Sequence, residues 1–376
     1  MNTNGKNQTE SIEFNLLTAL EISQIIDTAM RAPSVHNTQP YKIKFLPPDK
    51  FEIYGDLSRH LKVGDPSFRD HLASIGAFCE GIRLGLQLKK IVCQITYQDS
   101  PVSPEIVSNA LREKTDGTNS DIHLCATINL MRQATSLEID SNDLELGNQM
   151  TKRTSFRGIF EPVDDRTFLN VSTDLNALEN IVIFSTKKDI AHIDAIYSAE
   201  TSKINSEKRY VEELYYWLRL KRSHPRWSFD GLNSKAMSLK PLEAATGQIL
   251  MKPQILPILS KIGLGAFITS ESPQIRSSSF IVGMFQPHSI NPMDTGKNFF
   301  HLWLHLAKHN IACCPLSAAV DSEAGQKAIL EMTRQTRPHW TASHGRFMTL
   351  LRCGFIPEGL KYRSPRRTLG EIIIEK

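Results

Sequence analysis

Apolar and polar positions alternate with clear periods through the first third of the chain. Apolar residues at helical spacing from Leu20 to Met30 predict a helix that ends before Pro33. Alternation in YKIKFLP and in KFEIYGD, on either side of Pro47-Pro48, predicts a β-hairpin. The other predictions for this part are a long helix in DPSFRDHLASIGAFCEGIRLGLQLKK capped by Asp65 or Ser67, a strand at IVCQITY, and further helix within 101–145.

The rest of the chain shows the same mixture of helical and strand-like patterns. A helix at LELGNQM leads into the basic loop KRTSFRGIF, and a long, largely polar helical stretch occupies residues 190–264. Strands are predicted at NIVIFST, SSFIVGMF and FMTLLRCGF. Towards the end come a long helix in TGKNFFHLWLHLAKHNI that runs into a loop, and a basic loop with a short terminal strand in YRSPRRTLGEIIIEK.

Two helical segments of this pattern resemble each other. GAFCEGIRLGLQLKKI begins at Gly76, GKNFFHLWLHLAKHNI begins at Gly296, and many of their apolar positions coincide. In each, the small residue would let the helix approach a neighbour closely. Two amphipathic helices can match by chance, but the similar order of elements around them favours a duplicated α+β unit. We therefore predict two halves, residues 16–140 and 141–376, with a helical insertion at about 190–264 in the second.

Composition limits the classes to which the protein can belong. Its 376 residues are 40% hydrophobic and 22% charged, which is typical of a globular protein with a core. A net charge of +4 is too small to indicate a nucleic-acid partner, and no apolar run is long enough to span a membrane, so neither partner is predicted. The polar N-terminus and the six cysteines without a CxxC pair indicate a cytoplasmic protein, in which Cys313 and Cys314 are buried side chains.

Three polar or basic segments carry the candidate chemistry. The polar loop between Pro33 and Pro40 can hydrogen-bond a flat ligand with polar edges, although a turn that satisfies only its own backbone is the alternative. Arg153 and Arg157, separated by two hydroxyl residues and a phenylalanine, suit a phosphate or an anionic heterocycle, or else form a solvated basic loop. Near the C-terminus, three arginines could close over a phosphate or form a basic tail: Arg363, Arg366 and Arg367.

Together, these segments predict a site for a planar, polar-edged and phosphorylated ligand. The sequence contains no P-loop, no dinucleotide-binding glycine fingerprint, no HExxH motif and no GxSxG elbow. His301, His305 and His309 recur every four residues, but no acidic residue lies among them. We favour a polar helix face over a metal site there, and predict no bound metal.

The motifs in these segments are similar to those of a known family. APSVHNTQPY resembles the APSxxNxQPW segment of the nitroreductase superfamily, and RTSFR resembles its RRSxR loop. Their order along the chain resembles the Acg-like, FMN-binding branch, in which one chain contains two nitroreductase-like halves. Further matches, spread over residues 20–370, are DPSFRDHLASIGAF, EELYYWLR, LLRCGF and SPRR. Thr154 departs from the pattern by replacing an arginine, and Tyr41 by replacing a tryptophan.

The resemblance implies a nitroreductase-like α+β fold: an intramolecular pseudo-dimer of two mixed-sheet halves flanked by helices, with the helical insertion as a lid. It also implies FMN as the cofactor. Because the first half lacks an RRSxR-like loop and the second lacks a PSxxN-like segment, one FMN per chain is expected. The residues implied to contact it are Pro33, Ser34, Val35, Asn37, Gln39, Arg153, Ser155, Arg157, Pro315, Leu316, Ser317, Arg363, Arg366 and Arg367.

The implied function is that of an FMN-dependent oxidoreductase. It would transfer hydride through flavin N5 to or from a small substrate, for which aromatic and quinone-like compounds are candidates, with NAD(P)H as a candidate donor. The alternative is a protein that stores FMN beneath a closed lid with little turnover. His36 is a weaker candidate for proton donation, since a structural hydrogen bond in its loop is favoured. An internal pseudo-dimer would remove the need for a homodimer, so we expect a monomer.

Overall fold

A four-stranded antiparallel sheet forms the first part of the fold. The computed structural model describes residues 17–98, 121–131, 139–334, 337–343, 345–360 and 362–374. The sheet order is β1-β2-β4-β3, and every neighbouring pair is antiparallel. Two helices pack on this sheet. In chain order the elements are α1 (Ala19–Ala29), β1 (Tyr41–Leu46), β2 (Lys50–Asp56), α2 (Arg69–Leu88), β3 (Val92–Tyr97) and β4 (Ile122–Met131).

Helices connect this sheet to a second one. A long segment, residues 187–276, separates the first strand of the second sheet from its second strand and is called the helical insertion below. Leading into it are α3 (Ser141–Gly147), α4 (Asp165–Asn176) and β5 (Ile181–Phe184). The helical insertion contains α5 (Lys187–Ile204), α6 (Lys208–Trp217), β6 (Leu218–Arg219), β7 (Leu232–Asn233), α7 (Pro241–Leu250), α8 (Leu256–Lys261), α9 (Leu264–Ile268) and α10 (Ser272–Arg276).

The second sheet has the same strand order as the first. Its order is β5-β8-β10-β9, so in both sheets the strands stand as first, second, fourth and third along the chain. All three of its pairings are antiparallel. In each sheet a long helix connects the second strand to the third. The elements after the helical insertion are β8 (Phe280–Pro287), α11 (Pro292–Lys308), β9 (Ala312–Pro315), α12 (Ala318–Asp321), α13 (Glu323–Thr333), β10 (Gly345–Gly354) and α14 (Leu369–Ile372).

The two long helices, α2 and α11, cross at a pair of glycines. A Cβ atom built on Gly76 would lie 2.6 Å from the Cα of Met293, and one built on Gly296 would lie 2.8 Å from the Cα of Ala73, with the carbonyl oxygens closer still. Each glycine therefore meets the residue three positions before the other glycine. The close approach predicted for these helices is confirmed, and no larger residue fits at either position without moving backbone.

Most of the predicted elements are present, with four corrections. The α+β class is confirmed, but the four strands of each sheet are antiparallel, and among the described residues parallel pairing to these two sheets is limited to the bridges Ile43–Ile373 and Ser155–Cys313 at the edge strands β1 and β9. The helix predicted within 101–145 is wrong for residues 122–131, which form β4, whereas residues 99–120 and 132–138 lie outside the described part. The predicted terminal strand is the short helix α14, followed by one parallel bridge between Ile373 and Ile43.

The fourth correction concerns the start of α2. The residue before this helix is Phe68, in a left-handed conformation with φ 60°, and not Asp65 or Ser67. Both predicted side chains still serve the first turn. The Asp65 carboxylate accepts a hydrogen bond from the backbone N–H of His71 (2.8 Å), and the Ser67 hydroxyl accepts one from that of Arg69 (3.4 Å). These bonds satisfy amides that have no partner inside the helix.

Apolar side chains of α1 and α2 form a core against the first sheet. Within it, the rings of Tyr41 and Phe78 stack with centroids 3.9 Å apart, and both are fully buried. Cys313 and Cys314 lie fully buried in β9, as predicted. No helix in the described part of the chain has the length and apolarity that crossing a membrane requires.

Candidate functional site

A cavity of about 330 Å³ brings together segments that are far apart in sequence. Its walls include the loop after α1, α2, the loop after α3, α11, the end of β9 and the residues that follow it, β10, the segment before α14, and the helical insertion. Ten of the residues implied to contact the cofactor line it, and His36 lies beside them. The ten are Pro33, Ser34, Val35, Asn37, Arg153, Ser155, Arg157, Pro315, Ser317 and Arg366.

The loop after α1 has an unusual backbone. His36, Asn37 and Gln39 have positive φ angles of 45°, 55° and 50°. Left-handed backbone costs an L-residue roughly 1–2 kcal/mol, so this loop persists only because its surroundings hold it. The Ser34 hydroxyl accepts a hydrogen bond from the N–H of Gln39 (3.1 Å), and the Ser74 hydroxyl accepts one from the N–H of Val35 (3.2 Å).

Asn37 joins this loop to two other walls. Its side-chain amide donates to the carbonyl oxygens of Gly231 (3.2 Å) and Pro365 (3.1 Å). Its side-chain oxygen accepts a hydrogen bond from the guanidinium of Arg366 (3.0 Å). Both ends of the Asn37 amide are thus engaged within the protein. We infer that its part in the cavity is to position the loop, the helical insertion and the C-terminal segment against one another.

Arg366 closes the end of α1. Its guanidinium donates to the carbonyl oxygens of Met30, Arg31 (3.2 Å) and Ala32 (3.4 Å), which follow the helix and point out of its last turn. Burial lowers the pKa of Arg366 to about 10. Since most of its donors are taken by carbonyl groups, Arg366 contributes mainly positive charge and shape to the cavity wall.

Arg153 is a buried cation without an acidic partner. Its Nε donates to the carbonyl oxygen of Arg31 (3.1 Å), and its guanidinium lies 4.5 Å from the ring centroid of Trp303. Burial, with repulsion from Arg366 and Arg31, lowers the pKa of Arg153 to about 9. No carboxylate of the described residues pairs with it. A buried charge without a partner is costly, so the terminal nitrogens of Arg153 are suited to an anion in the cavity.

Arg157 and Ser155 are held in place by the second sheet. The N–H of Phe156 donates to the carbonyl oxygen of Cys313 in β9 (3.2 Å). From β10, the fully buried Arg352 donates to the carbonyl oxygens of Phe156 (3.2 Å) and Gly158 (3.1 Å). Arg352 therefore fixes the backbone on both sides of Arg157. The sequence interpretation did not include it, although an arginine within the apolar strand TLLRCG was a usable signal.

His36 is neutral at physiological pH. Burial, with the nearby charge of Arg157, lowers its pKa to about 4, although Asp70 acts in the opposite direction. The imidazole can accept or donate a hydrogen bond in the cavity but carries no proton to release as an acid at pH 7. Proton donation by His36, the weaker of the two roles expected for it, stays a prediction.

Four of the implied contact residues lie away from the cavity wall. Gln39 is fully buried and bonds inward, donating to the carbonyl oxygen of Phe229 (2.9 Å) and accepting from the N–H of Arg367 (2.8 Å). The Arg367 guanidinium donates to the carbonyl oxygens of Gln39 and Glu371. Leu316 is fully buried in the second core, and Arg363 points into solvent.

One acidic cluster with a histidine lies outside the cavity. Glu80, Asp143 and His301 offer ligand atoms within 4.8 Å of one another. The Arg83 guanidinium donates to both carboxylates, at 2.8 Å to Glu80 and 2.6 Å to Asp143, and so supplies the positive charge they need. The acidic partners absent from the neighbouring sequence of His301 thus come from α2 and α3.

No protein-family model matches the chain, and no curated protein does. The FMN and NADPH-dependent nitroreductase NfnB from Sphigopyxis sp. strain HMH is similar over 61% of this chain and 98% of its own, with 13% identity and a TM-score of 0.36. The FMN-dependent nitroreductase NfnB from Mycobacterium smegmatis in complex with NADPH is similar over 62% and 98%, with 15% identity and a TM-score of 0.32. Both similar structures are nitroreductases. These values establish neither a shared fold nor a shared function.

The helical insertion, which the family resemblance implied as a lid, supplies a large share of the cavity wall. It contributes both apolar side chains, such as Leu214 and Met251, and polar ones, such as Tyr197 and Asn205. Further lining residues of the helical insertion are Thr201, Ile204, Tyr210, Leu218, Leu232, Ala236, Met237, Thr269 and Glu271.

Two acidic residues outside the helical insertion, Asp70 and Asp321, also line the cavity, and both are bonded to Arg69.

Two carboxylates fasten the helical insertion to the first part of the fold. Glu213 in α6 accepts hydrogen bonds from the backbone N–H groups of Val63 (3.1 Å) and Gly64 (2.7 Å), beside the cavity wall. Deeper in the protein, the buried Asp230 carboxylate pairs with Arg59 (2.5 Å) and Arg219 (3.2 Å). The first contact lies at the rim of the cavity and is half-exposed, whereas the second is enclosed by protein.

Proposed function

We propose that this chain is an FMN-dependent oxidoreductase with a nitroreductase-like fold and one FMN site. The observation that carries the proposal is the cavity wall at Arg153, where a buried guanidinium has no acidic partner among the described residues. Arg157 and Ser155 line the same cavity, together with the strained loop at His36. The two motifs that resemble nitroreductase segments meet there, although they are more than one hundred residues apart in sequence.

The groups present in the cavity fit FMN. The guanidinium groups of Arg153 and Arg157 suit its phosphate and the electron-rich edge of its pyrimidine ring. The hydroxyl groups of Ser34, Ser155 and Ser317 add short donors. Arg69 pairs with Asp70 at 2.7 Å and with Asp321 at 2.9 Å, and so offsets part of their negative charge. An anion the size of FMN would therefore relieve the uncompensated charge of Arg153.

The roles of the chain follow from these contacts. When bound, FMN supplies two-electron hydride chemistry, which side chains cannot provide. Arg153 and Arg157 bind and orient the anionic groups, and their charge favours the more negative, reduced state of the cofactor. Neutral His36 offers a hydrogen-bond partner to a substrate, and the helical insertion excludes water from the cavity.

We also propose that the fold is an internal pseudo-dimer of two nitroreductase-like halves, residues 16–140 and 141–376. The identical strand order of the two sheets supports this, and so does the reciprocal packing of Gly76 and Gly296. Each half then gives the site something different. The loop at Asn37 comes from the first, and the loop at Arg153 comes from the second.

An anaerobic half-reaction tests the activity. The purified protein is loaded with FMN to a 1:1 complex and mixed with NADPH or NADH, and the flavin absorbance is followed. Rapid bleaching by one donor is expected for the oxidoreductase. If dithionite bleaches the flavin but neither nicotinamide does, the protein stores FMN, an alternative that the cover formed by the helical insertion supports. Failure to bind FMN at all would overturn both functions.

The helical insertion is proposed to act as a lid that Glu213 holds shut. Replacing Glu213 with alanine removes a carboxylate that accepts from two backbone amides across the rim, a contact worth about 1.5–3 kcal/mol. We expect bound FMN to dissociate about tenfold faster or more, because the rim opens more often. Stopped-flow recovery of free-FMN fluorescence after dilution measures that rate.

Glu212 provides a matched control. It is the preceding residue of α6 and is exposed, and among the described residues its ion pair is with Lys208 on its own helix, at 3.7 Å. Glu212→Ala should leave the dissociation rate unchanged. Equal rates for the two variants would show that the Glu213 contact does not control access to the cavity.

A further inference from the structure

The outer surface of the helical insertion exposes an apolar strip. Four large side chains of α8 and α9 and their connection face solvent: Ile258 is 62% exposed, Ile262 65%, Leu264 52% and Phe267 86%. They fall within ten residues, and the two helices pack against each other. Single exposed apolar residues are ordinary, but a group of this size usually marks an interaction surface. We call these four residues the apolar strip.

The chain around the apolar strip is basic. Residues 231–270 contain four lysines and one acidic residue, Glu243, so this stretch has a net charge of +3 out of +4 for the whole chain. Glu243 is committed to the start of α7, where it accepts from the N–H of Lys240 (2.8 Å). Between residues 244 and 270 there are two lysines and no carboxylate. All four lysines are exposed: Lys235, Lys240, Lys252 and Lys261.

Exposed apolar side chains flanked by lysines are typical of segments that lie at a membrane surface. The apolar side chains enter the region between headgroups and acyl chains, while the lysines remain with the anionic headgroups. We propose that the apolar strip docks this protein on the surface of an anionic lipid bilayer. The contact is peripheral, and it does not depend on the identity of the ligand in the cavity.

Charge distinguishes this partner from a second copy of the chain. Two copies joined through their apolar strips would bring Lys252 and Lys261 of each near those of the other, with no carboxylate in residues 244–270 to offset the repulsion. An anionic bilayer offers the opposite charge to Lys252 and Lys261. Each lysine near such a surface contributes about 1 kcal/mol to binding.

Vesicle flotation with the full-length chain tests the proposal. The protein is mixed with vesicles of phosphatidylcholine alone, or of equal parts phosphatidylcholine and phosphatidylglycerol. We expect flotation with the anionic vesicles, weakened by salt and weak or absent with the neutral ones. The double variant Ile262→Glu/Phe267→Glu should bind at least about tenfold more weakly, because two carboxylates replace the apolar contact.

Leu169→Glu is the matched control, because Leu169 is also 67% exposed but lies in α4, outside the helical insertion. It should float like the unmodified protein. A second double variant, Lys252→Gln/Lys261→Gln, keeps the apolar strip and should lose affinity only for anionic vesicles. Circular dichroism and the thermal midpoint establish that each variant is folded.

Three results would overturn the proposal. The first is no flotation with either vesicle. The second is flotation that Ile262→Glu/Phe267→Glu does not weaken. The third is a dimer, seen by sedimentation velocity, that this variant abolishes while no vesicle binding occurs; that result would assign the apolar strip to a second copy of the chain.

Discussion

The double variant Arg153→Ala/Arg157→Ala is expected to lose stoichiometric FMN. Arg153 has a buried guanidinium with no carboxylate partner in the described part of the chain, and Arg157 lines the same cavity. A hydrogen bond to a charged group contributes about 1.5–3 kcal/mol, so losing two should raise the Kd for FMN at least about 100-fold. Titration of the apoprotein, followed by quenching of FMN fluorescence, measures the change.

Two controls separate binding from folding. Arg166→Ala/Arg334→Ala removes the same total charge at exposed positions outside the cavity and should bind FMN normally. Arg153→Met retains contact with Trp303 without the charge, so it should remain folded yet bind FMN weakly. If Arg153→Ala/Arg157→Ala keeps FMN at a 1:1 ratio with an unchanged Kd, the assignment of the site is wrong.

Among the single glycine-to-alanine substitutions, Gly296→Ala is expected to cause the largest loss of stability. Its new Cβ would overlap the backbone of Ala73 in α2, and backbone cannot rotate away as a side chain can. The two long helices must separate, which we expect to lower the free energy of unfolding by about 3 kcal/mol. Gly76→Ala should have a similar effect, because its contact with Met293 is the reciprocal one.

Gly370→Ala is the control for these variants. Gly370 lies in α14, where an added Cβ meets nothing within 4 Å, so alanine should leave stability unchanged or raise it slightly through helix propensity. Urea unfolding followed by circular dichroism gives all three midpoints. A Gly296→Ala midpoint equal to that of the unmodified protein would mean that α2 and α11 do not cross as closely as described.

The sequence pattern predicted the elements well where apolar residues recur at a regular spacing. The hairpin of β1 and β2 and the long helices α2 and α11 have regular periods, and all are present. The strand β4 was missed because its alternation breaks at Cys125 and Ala126, which are both buried and lie where its pairing with β2 shifts register. The prediction of mixed sheets came from the family resemblance. The strand pairing in the structure shows that neighbouring strands within each four-stranded sheet are antiparallel.

The motifs located the walls of the cavity but not the direction of each side chain. Pro33 to Asn37 and Arg153 to Arg157 lie where they were expected. Gln39 and Arg367 turn inward and bond to each other's backbone, a pairing across more than three hundred residues that no local pattern reveals. The partners of Arg352 also belong to a loop distant in sequence, so the arginine within an apolar strand indicated a buried charge but not the loop that it holds.

Peripheral docking needs a different kind of signal from a membrane span. A span requires one continuous apolar run, and the chain has none. The apolar strip is assembled from residues of two short helices, with buried positions such as Gly265 between the exposed ones. In sequence these side chains resemble those of an ordinary core. Their exposure to solvent in the folded chain is what distinguishes them.

The hydrogen bonds from Arg366 to the end of α1 have a consequence for synthesis of the chain. Residues 30–32 leave the ribosome early, but the guanidinium that completes their surroundings is made more than three hundred residues later. The cavity therefore cannot close while translation of the first half is under way, and contacts this distant form late in folding. A ligand in the cell meets a finished cavity only after residue 366 has been added.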